Sequence, residues 1–91
     1  MELKWTGKAL SDLVRLYEFL APVDRQAAAH TVIILAAAPR NLMAHPRLGE
    51  KLEEFEPREV RRISVGQYEL RYEIQGFTMF VLRLWHTREE R

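Results

Sequence analysis

Three strand-like runs crowd the last third of the chain, residues 58–91, and constrain its fold more than any other feature. The first covers residues 60–65. Gly66-Gln67 breaks it, and residues 68–74 then alternate, with Tyr68, Leu70, Tyr72 and Ile74 on one face and Glu69, Arg71 and Glu73 on the other. Gln75-Gly76 turns the chain again. Residues 78–85 are almost wholly apolar, with Arg83 as the single charge. Short runs joined by Gly-bearing loops predict an antiparallel meander. A strand as apolar as residues 79–85 needs neighbours on both sides and cover on at least one face. The preceding residues have to provide that cover.

They read as one strand and two helices. Glu2–Trp5 predicts an opening strand, and Thr6 an N-cap whose hydroxyl accepts an orphan backbone N–H. Leu10, Leu13, Val14, Tyr17 and Leu20 recur at helical spacing and predict a buried stripe, with Asp12, Arg15 and Glu18 on the wet side. Ala21-Pro22 ends this helix. Asp24 caps a second one, alanine-rich and apolar almost all round, which Pro39 is expected to stop at about Ala38. The short link between them predicts an antiparallel hairpin. Residues 40–57 predict a structured loop with an acidic arm, because Pro46 and Gly49 break any longer element. The order β-α-α-β-β-β over residues 1–91 predicts one α+β domain. In it a helical hairpin packs on one face of a twisted, mainly antiparallel sheet.

Several classes of function are disfavoured at this point. Without cysteine there is neither a disulfide framework nor a cysteine zinc site. Gly-rich phosphate loops, HExxH and GxSxG are absent. His30, His45 and His86 stand far apart, so no metal site and no cofactor are predicted. No apolar run approaches the roughly 20 residues that a membrane span needs. The N-terminus has no secretory apolar segment, which points to the cytoplasm. A net charge of +1 gives the whole chain little nonspecific pull on nucleic acid.

The candidate chemistry lies near the C-terminus. His86, at a strand mouth beside arginines, has the residue type of a general acid or base; equally, it can be a strand-end histidine packed on Trp85. Whether Arg83 shares a face with Arg71 depends on the second hairpin loop. A three-residue loop, 75–77, pairs Ile74 with Thr78 and puts Phe80, Leu82 and Leu84 under the helices. Arg71, Arg83, Trp85, Met79 and Val81 then share the open face, a composition suited to RNA or to a protein partner. A two- or four-residue loop would swap the faces and bury Arg83 without a partner, so the three-residue loop is expected.

The chain resembles the RelE/ParE superfamily of toxins from bacterial type II toxin–antitoxin modules. The resemblance rests on Leu3-Lys4-Trp5-Thr6, Ala9, Asp12-Leu13, Pro46-Arg47-Leu48-Gly49, Arg58-Glu59-Val60, Val65-Gly66-Gln67-Tyr68 and Arg71-Tyr72. It closes on Leu82-Arg83-Leu84-Trp85-His86-Thr87-Arg88, and the matches are collinear over essentially the whole chain. The resemblance implies a cytoplasmic growth inhibitor with a cognate antitoxin as its protein partner. RelE-like members cut mRNA on the ribosome, and ParE-like members poison DNA gyrase. For a nuclease, the implied catalytic residues are His86, Arg83 and Arg71. Glu69 stands where those enzymes carry an arginine, and the wording of the last two strands is closer to ParE. Gyrase is therefore the expected target, with ribosome-bound mRNA as the alternative and an antitoxin-binding relic as a third reading. Whether the chain is an enzyme stays open. Arg83, Trp85 and Arg88 are the expected target contacts. Arg61, Arg62, Met79, Val81 and Trp85 are the expected antitoxin contacts, with residues 60–65 as the free sheet edge.

Overall fold

The computed structural model describes residues 1–89, so Glu90 and Arg91 at the end of the C-terminal stretch lie outside the described residues. Strand β1 (Glu2–Trp5) leads into helices α1 (Gly7–Leu20) and α2 (Arg25–Leu42). Strands β2 (Glu50–Lys51), β3 (Glu59–Val65), β4 (Tyr68–Gln75) and β5 (Thr78–His86) follow, with a 3-10 turn at Glu53–Phe55 ahead of β3. The strands form one sheet in the order β1-β5-β4-β3-β2. All pairings are antiparallel except β1 with β5. Ala9, Leu16, Leu35 and Leu42 of the hairpin meet Leu70, Tyr72, Ile74, Met79, Val81 and Leu84 of β4 and β5 in one core. The α+β architecture is the expected one.

Both helix starts behave as read. Thr6 accepts the Ala9 N–H, and Asp24 accepts those of Gln26 and Ala27. Three details differ. First, α2 runs through Pro39 to Leu42. Proline forfeits one helical hydrogen bond, but burying Pro39 and Leu42 on the core offsets that loss. Second, β2 occupies part of the expected loop and pairs Glu50 with Arg62 and Lys51 with Arg61. The edge of β3 is thus covered at these arginines and bare only over residues 63–65. Third, α1 is rotated about its axis from the expected phase. Ala9, Asp12 and Leu16 are its buried residues, whereas Leu10, Val14 and Tyr17 are exposed.

The second hairpin corrects a further expectation. Gln75 pairs with Thr78, so the loop is the two-residue Gly76-Phe77, with Gly76 at φ 59°. Glycine at the first position suits such a tight loop. Met79 and Val81 therefore point into the core at 0% exposure, not onto the open face. The swap does not bury Arg83, because the register shifts between Arg71 and Tyr72: Tyr72 pairs with Val81 and Arg71 with Arg83. Leu82 is the extra residue of a β-bulge, which restores the alternation. Beyond it Leu84 is core and Arg83 lies beside Arg71.

Tyr72 explains the Pro46–Gly49 motif. Its hydroxyl donates to the Pro46 carbonyl at 2.7 Å and accepts the Gly49 N–H at 3.0 Å. Burial pushes its pKa up, keeping the phenol neutral and able to donate. A Cβ on Gly49 would stand 2.6 Å from that hydroxyl and 2.7 Å from the Arg62 carbonyl, so only glycine fits.

The phase of α1 is testable by urea unfolding. Leu16→Ala, at a site 2% exposed, should cost about 2–5 kcal/mol. Val14→Ala, at a site 57% exposed, should cost less than about 0.5 kcal/mol. The reverse ranking would restore the stripe first expected.

Candidate functional site

The second half of β5 has no strand on its outer side, since β1 pairs only as far as Val81. Side chains take the place of that strand. Thr6 donates its hydroxyl to the Val81 carbonyl at 2.8 Å, with Leu82 O at 3.2 Å. Asp12 accepts the Leu84 N–H at 2.8 Å, and Arg15 donates to the Leu84 carbonyl at 3.1 Å. Glu89 accepts the His86 N–H at 2.7 Å and forms an ion pair with Arg15. The Val81 carbonyl also accepts the Thr6 N–H at 3.1 Å, whereas without these side chains the Leu84 and His86 groups would be unpaired on the edge.

Asp12 is the hub. It is 4% exposed and also takes Nε and Nη2 of Arg83 at 2.8 and 3.2 Å. Burial alone would raise its pKa. The bonds from Arg83, the Leu84 amide and Arg15 outweigh burial and hold the carboxyl below its ordinary range. Asp12, expected on the wet side, is thus a buried anion, and Arg83 has a structural partner.

From Arg83 a ladder of cations and rings crosses the open face. The Arg83 guanidinium lies 5.7 Å from the Trp85 ring centroid, and that of Arg71 4.8 Å from Trp85 and 5.5 Å from Phe55. Arg58 completes it, 6.0 Å from Phe55 and bonded twice to the buried Glu73. Arg71 also reaches Glu69 at 3.3 Å. Each guanidinium is matched by a carboxylate. Trp85 is only 4% exposed, sealed beneath the arginines.

His86 belongs to the other face. It pairs with Tyr68 across the strands, the rings 5.2 Å apart and edge-on. Its Nδ1 accepts the Arg88 N–H at 3.1 Å, so Nε2 carries the proton towards Gln67 Oε1, also at 3.1 Å. Both ring nitrogens are engaged in fastening the Thr87-Arg88 turn. Beside it a cavity of about 620 Å³ opens between α1 and the end of the sheet, lined by Leu16, Phe19, Leu20 and Tyr68.

The three nuclease candidates therefore do not converge. Arg71 and Arg83 are neighbours on the open face, and His86 lies across the sheet from them. Among the expected target contacts, Arg88 has a guanidinium with no partner among the described residues. The expected antitoxin contacts also divide. Arg61 is held by Glu59 and the Gly49 carbonyl, and Arg62 by Glu50. Met79 and Val81 are core. No three His, Asp or Glu side chains gather into a metal-binding group among the described residues. No helix among them is long and apolar enough to cross a membrane. Sequence reasoning missed Asp12, Arg15, Phe55 and Glu89. The one available signal was that Ala9, Leu13, Leu16 and Leu20 also share a helical face, with Asp12 inside it.

A family model described as the ParE toxin of the type II toxin–antitoxin system, parDE, matches residues 3–91. The chain belongs to the ParE toxin family. Among solved structures it is similar to the chromosomal ParDE TA system from P. aeruginosa, with a TM-score of 0.77 and 22% identity, covering 94% of this chain and 95% of that one. No curated protein matches. In this ParE-family chain the Asp12-Leu13 and Leu82–His86 motifs are thus two sides of one contact, the closed edge of β5.

That contact gives the ParE fold a pH signature. A carboxyl whose pKa is lower folded than unfolded stabilises the fold above the unfolded value and loses that contribution as pH falls through the folded one. Asp12→Asn should cost about 1–3 kcal/mol at pH 7, discounted for the part-exposed Arg83. The gap from the unsubstituted protein should close as the pH drops below about 4. Urea titrations from pH 7 to pH 2 check this; a constant gap would mean that the Asp12 charge is not involved.

Proposed function

We propose that this chain is a growth-inhibiting toxin that poisons DNA gyrase in the cytoplasm and is neutralised by a protein antitoxin. Family membership supports the toxin reading, and the solved ParDE neighbour supports the antitoxin. One observation favours gyrase over mRNA: His86 is separated by the sheet from Arg71 and Arg83. General acid–base cleavage needs the proton-transfer group within hydrogen-bond reach of the phosphate that the cations hold. Here the cations are neutralised by Glu69 and Asp12, and both imidazole nitrogens are committed. A poison of gyrase needs only a binding surface, because gyrase itself makes the break. Arg88, whose guanidinium has no partner among the described residues, supplies a cation of that surface, and Arg83 and Trp85 brace the strand that carries it.

Two assays on purified protein test this. With gyrase, ATP and supercoiled plasmid, trapped double-strand breaks are expected. With mRNA-programmed ribosomes, no new ends are expected. Cut mRNA without trapped breaks would overturn the target, and silence in both would leave an antitoxin-binding relic. His86→Gln should change gyrase poisoning less than about threefold, whereas a general acid or base would lose about 10²–10⁴. Arg88→Ala should abolish growth inhibition with its unfolding midpoint unchanged.

A further inference from the structure

Arg88 is held in place by a single atom. Its neighbour Thr87 is tied by its own N–H to the Gln67 carbonyl at 2.9 Å. Glu89 is tied by its N–H to the His86 carbonyl at 2.9 Å and by its carboxylate to Arg15 and the His86 N–H. Arg88, between them, makes one hydrogen bond among the described residues, from its N–H to Nδ1 of His86 at 3.1 Å. A backbone N–H can only donate, so Nδ1 has to keep a bare lone pair. Nε2 then carries the proton of the ring towards Gln67. The turn thus fits a neutral His86 and not an imidazolium, whose Nδ1–H would face the Arg88 N–H. The bond to Gln67 survives protonation, because Nε2 donates in both states. Imidazole is the side-chain group that ordinarily changes charge between about pH 5 and 8. The other groups around the ring are Arg15 from α1, paired with Glu89, and Tyr68 from β4, edge-on. From α2, only the uncharged Thr31, Ile34 and Leu35 reach the cavity that His86 lines on that side. Among the described residues no carboxylate bonds to the ring nitrogens to hold an imidazolium in place.

We propose that His86 is the positioning residue of the target-facing turn: its neutral ring holds Arg88, and a proton taken from solvent onto Nδ1 lets Arg88 go. The proposal rests on the gyrase reading above, because Arg88 is the cation proposed there to touch the target. His86 itself neither touches the target nor transfers a proton to it. Poisoning is full above the titration of the ring and weakens as the pH falls through it. The toxin is then restrained in an acidified cell without any change in its core. His86→Asn separates holding from titrating, since it puts a carbonyl oxygen two bonds from Cβ, where Nδ1 stands, and that oxygen accepts at every pH. His86→Leu removes the acceptor altogether.

Nuclear relaxation of the full chain reads the turn without any target present. As the His86 ring titrates, the order parameter of the Arg88 N–H should fall from about 0.8 to below about 0.6, while that of Thr87 holds. In His86→Asn the Arg88 N–H should stay ordered at every pH, and in His86→Leu it should be mobile at every pH; circular dichroism melts check that both fold. Gyrase cleavage assays of the unsubstituted protein and His86→Asn, run side by side, cancel the pH response of gyrase itself. One pH unit below the midpoint of the ring, where about one molecule in ten keeps the turn, the unsubstituted protein should poison about tenfold more weakly than His86→Asn. One unit above it, the two should agree within about threefold. An Arg88 order parameter indifferent to the titration of the ring, or one that falls equally in His86→Asn, overturns the latch. Arg88 loosening while both proteins poison equally at low pH overturns the positioning role. If the unsubstituted protein traps no breaks at any pH, the gyrase reading falls and takes the positioning role with it.

Discussion

A buried carboxylate that closes a sheet edge is the constraint on which the rest of this structure depends. The first strand has 4 residues and the last has 9, so the last strand must continue past its neighbour into what would be solvent. Bare edges invite pairing with other chains, and buried unpaired amides cost about 1–3 kcal/mol each. Here the first helix passes directly over the gap and lowers Asp12 and Arg15 onto it. The Asp12 carboxylate is suited to the task because one oxygen accepts both the Leu84 amide and the Arg83 guanidinium. An isolated carboxylate this deep would be costly; three donors make it stable and lower its pKa.

The same closure decides what each face can do. The bulge at Leu82 keeps Arg83 on the open side, where Asp12 reaches it, and returns Leu84 to the core. Arginines and rings then alternate across that face, each cation–π contact contributing about 0.5–1 kcal/mol. A face so matched in charge is a braced wall, with little positive potential left for a phosphate. The strand end beyond it is different. His86 is spent on holding a turn, the Arg88 guanidinium has no partner among the described residues, and a largely apolar cavity lies alongside. A binding role follows from that asymmetry more readily than a catalytic one.

Much of this was legible in the sequence, and the omissions have physical reasons. Alternation in residues 68–74 and the apolar run after Gly76 placed the meander, and Thr6 and Asp24 marked both helix starts. The phase of the first helix was misread because Leu10, Val14 and Tyr17 outweigh Ala9 on any hydrophobic scale. Alanine is buried there for its small size, and Asp12 for a partner 71 residues away. The hairpin was misread because a two-residue loop appeared to bury Arg83. A bulge absorbs that penalty, and Leu82 carries no mark of it, since an apolar residue fits either side of such a strand. Proline inside the second helix misled for a related reason: packing at Leu42 outweighs one lost hydrogen bond. The cavity beside His86 was invisible because its lining comes from the first helix, the β3–β4 turn and the residues that follow the last strand.

Native-state hydrogen exchange at the Leu84 amide tests the edge closure most directly. That amide has no strand neighbour, yet it should be protected to nearly the extent of the Leu70 and Tyr72 amides at the sheet's centre. In Asp12→Ala it should exchange much faster, while the central amides keep their rank order. If Leu84 exchanges no faster without Asp12, the carboxylate does not stand in for the missing strand and the account fails at its foundation.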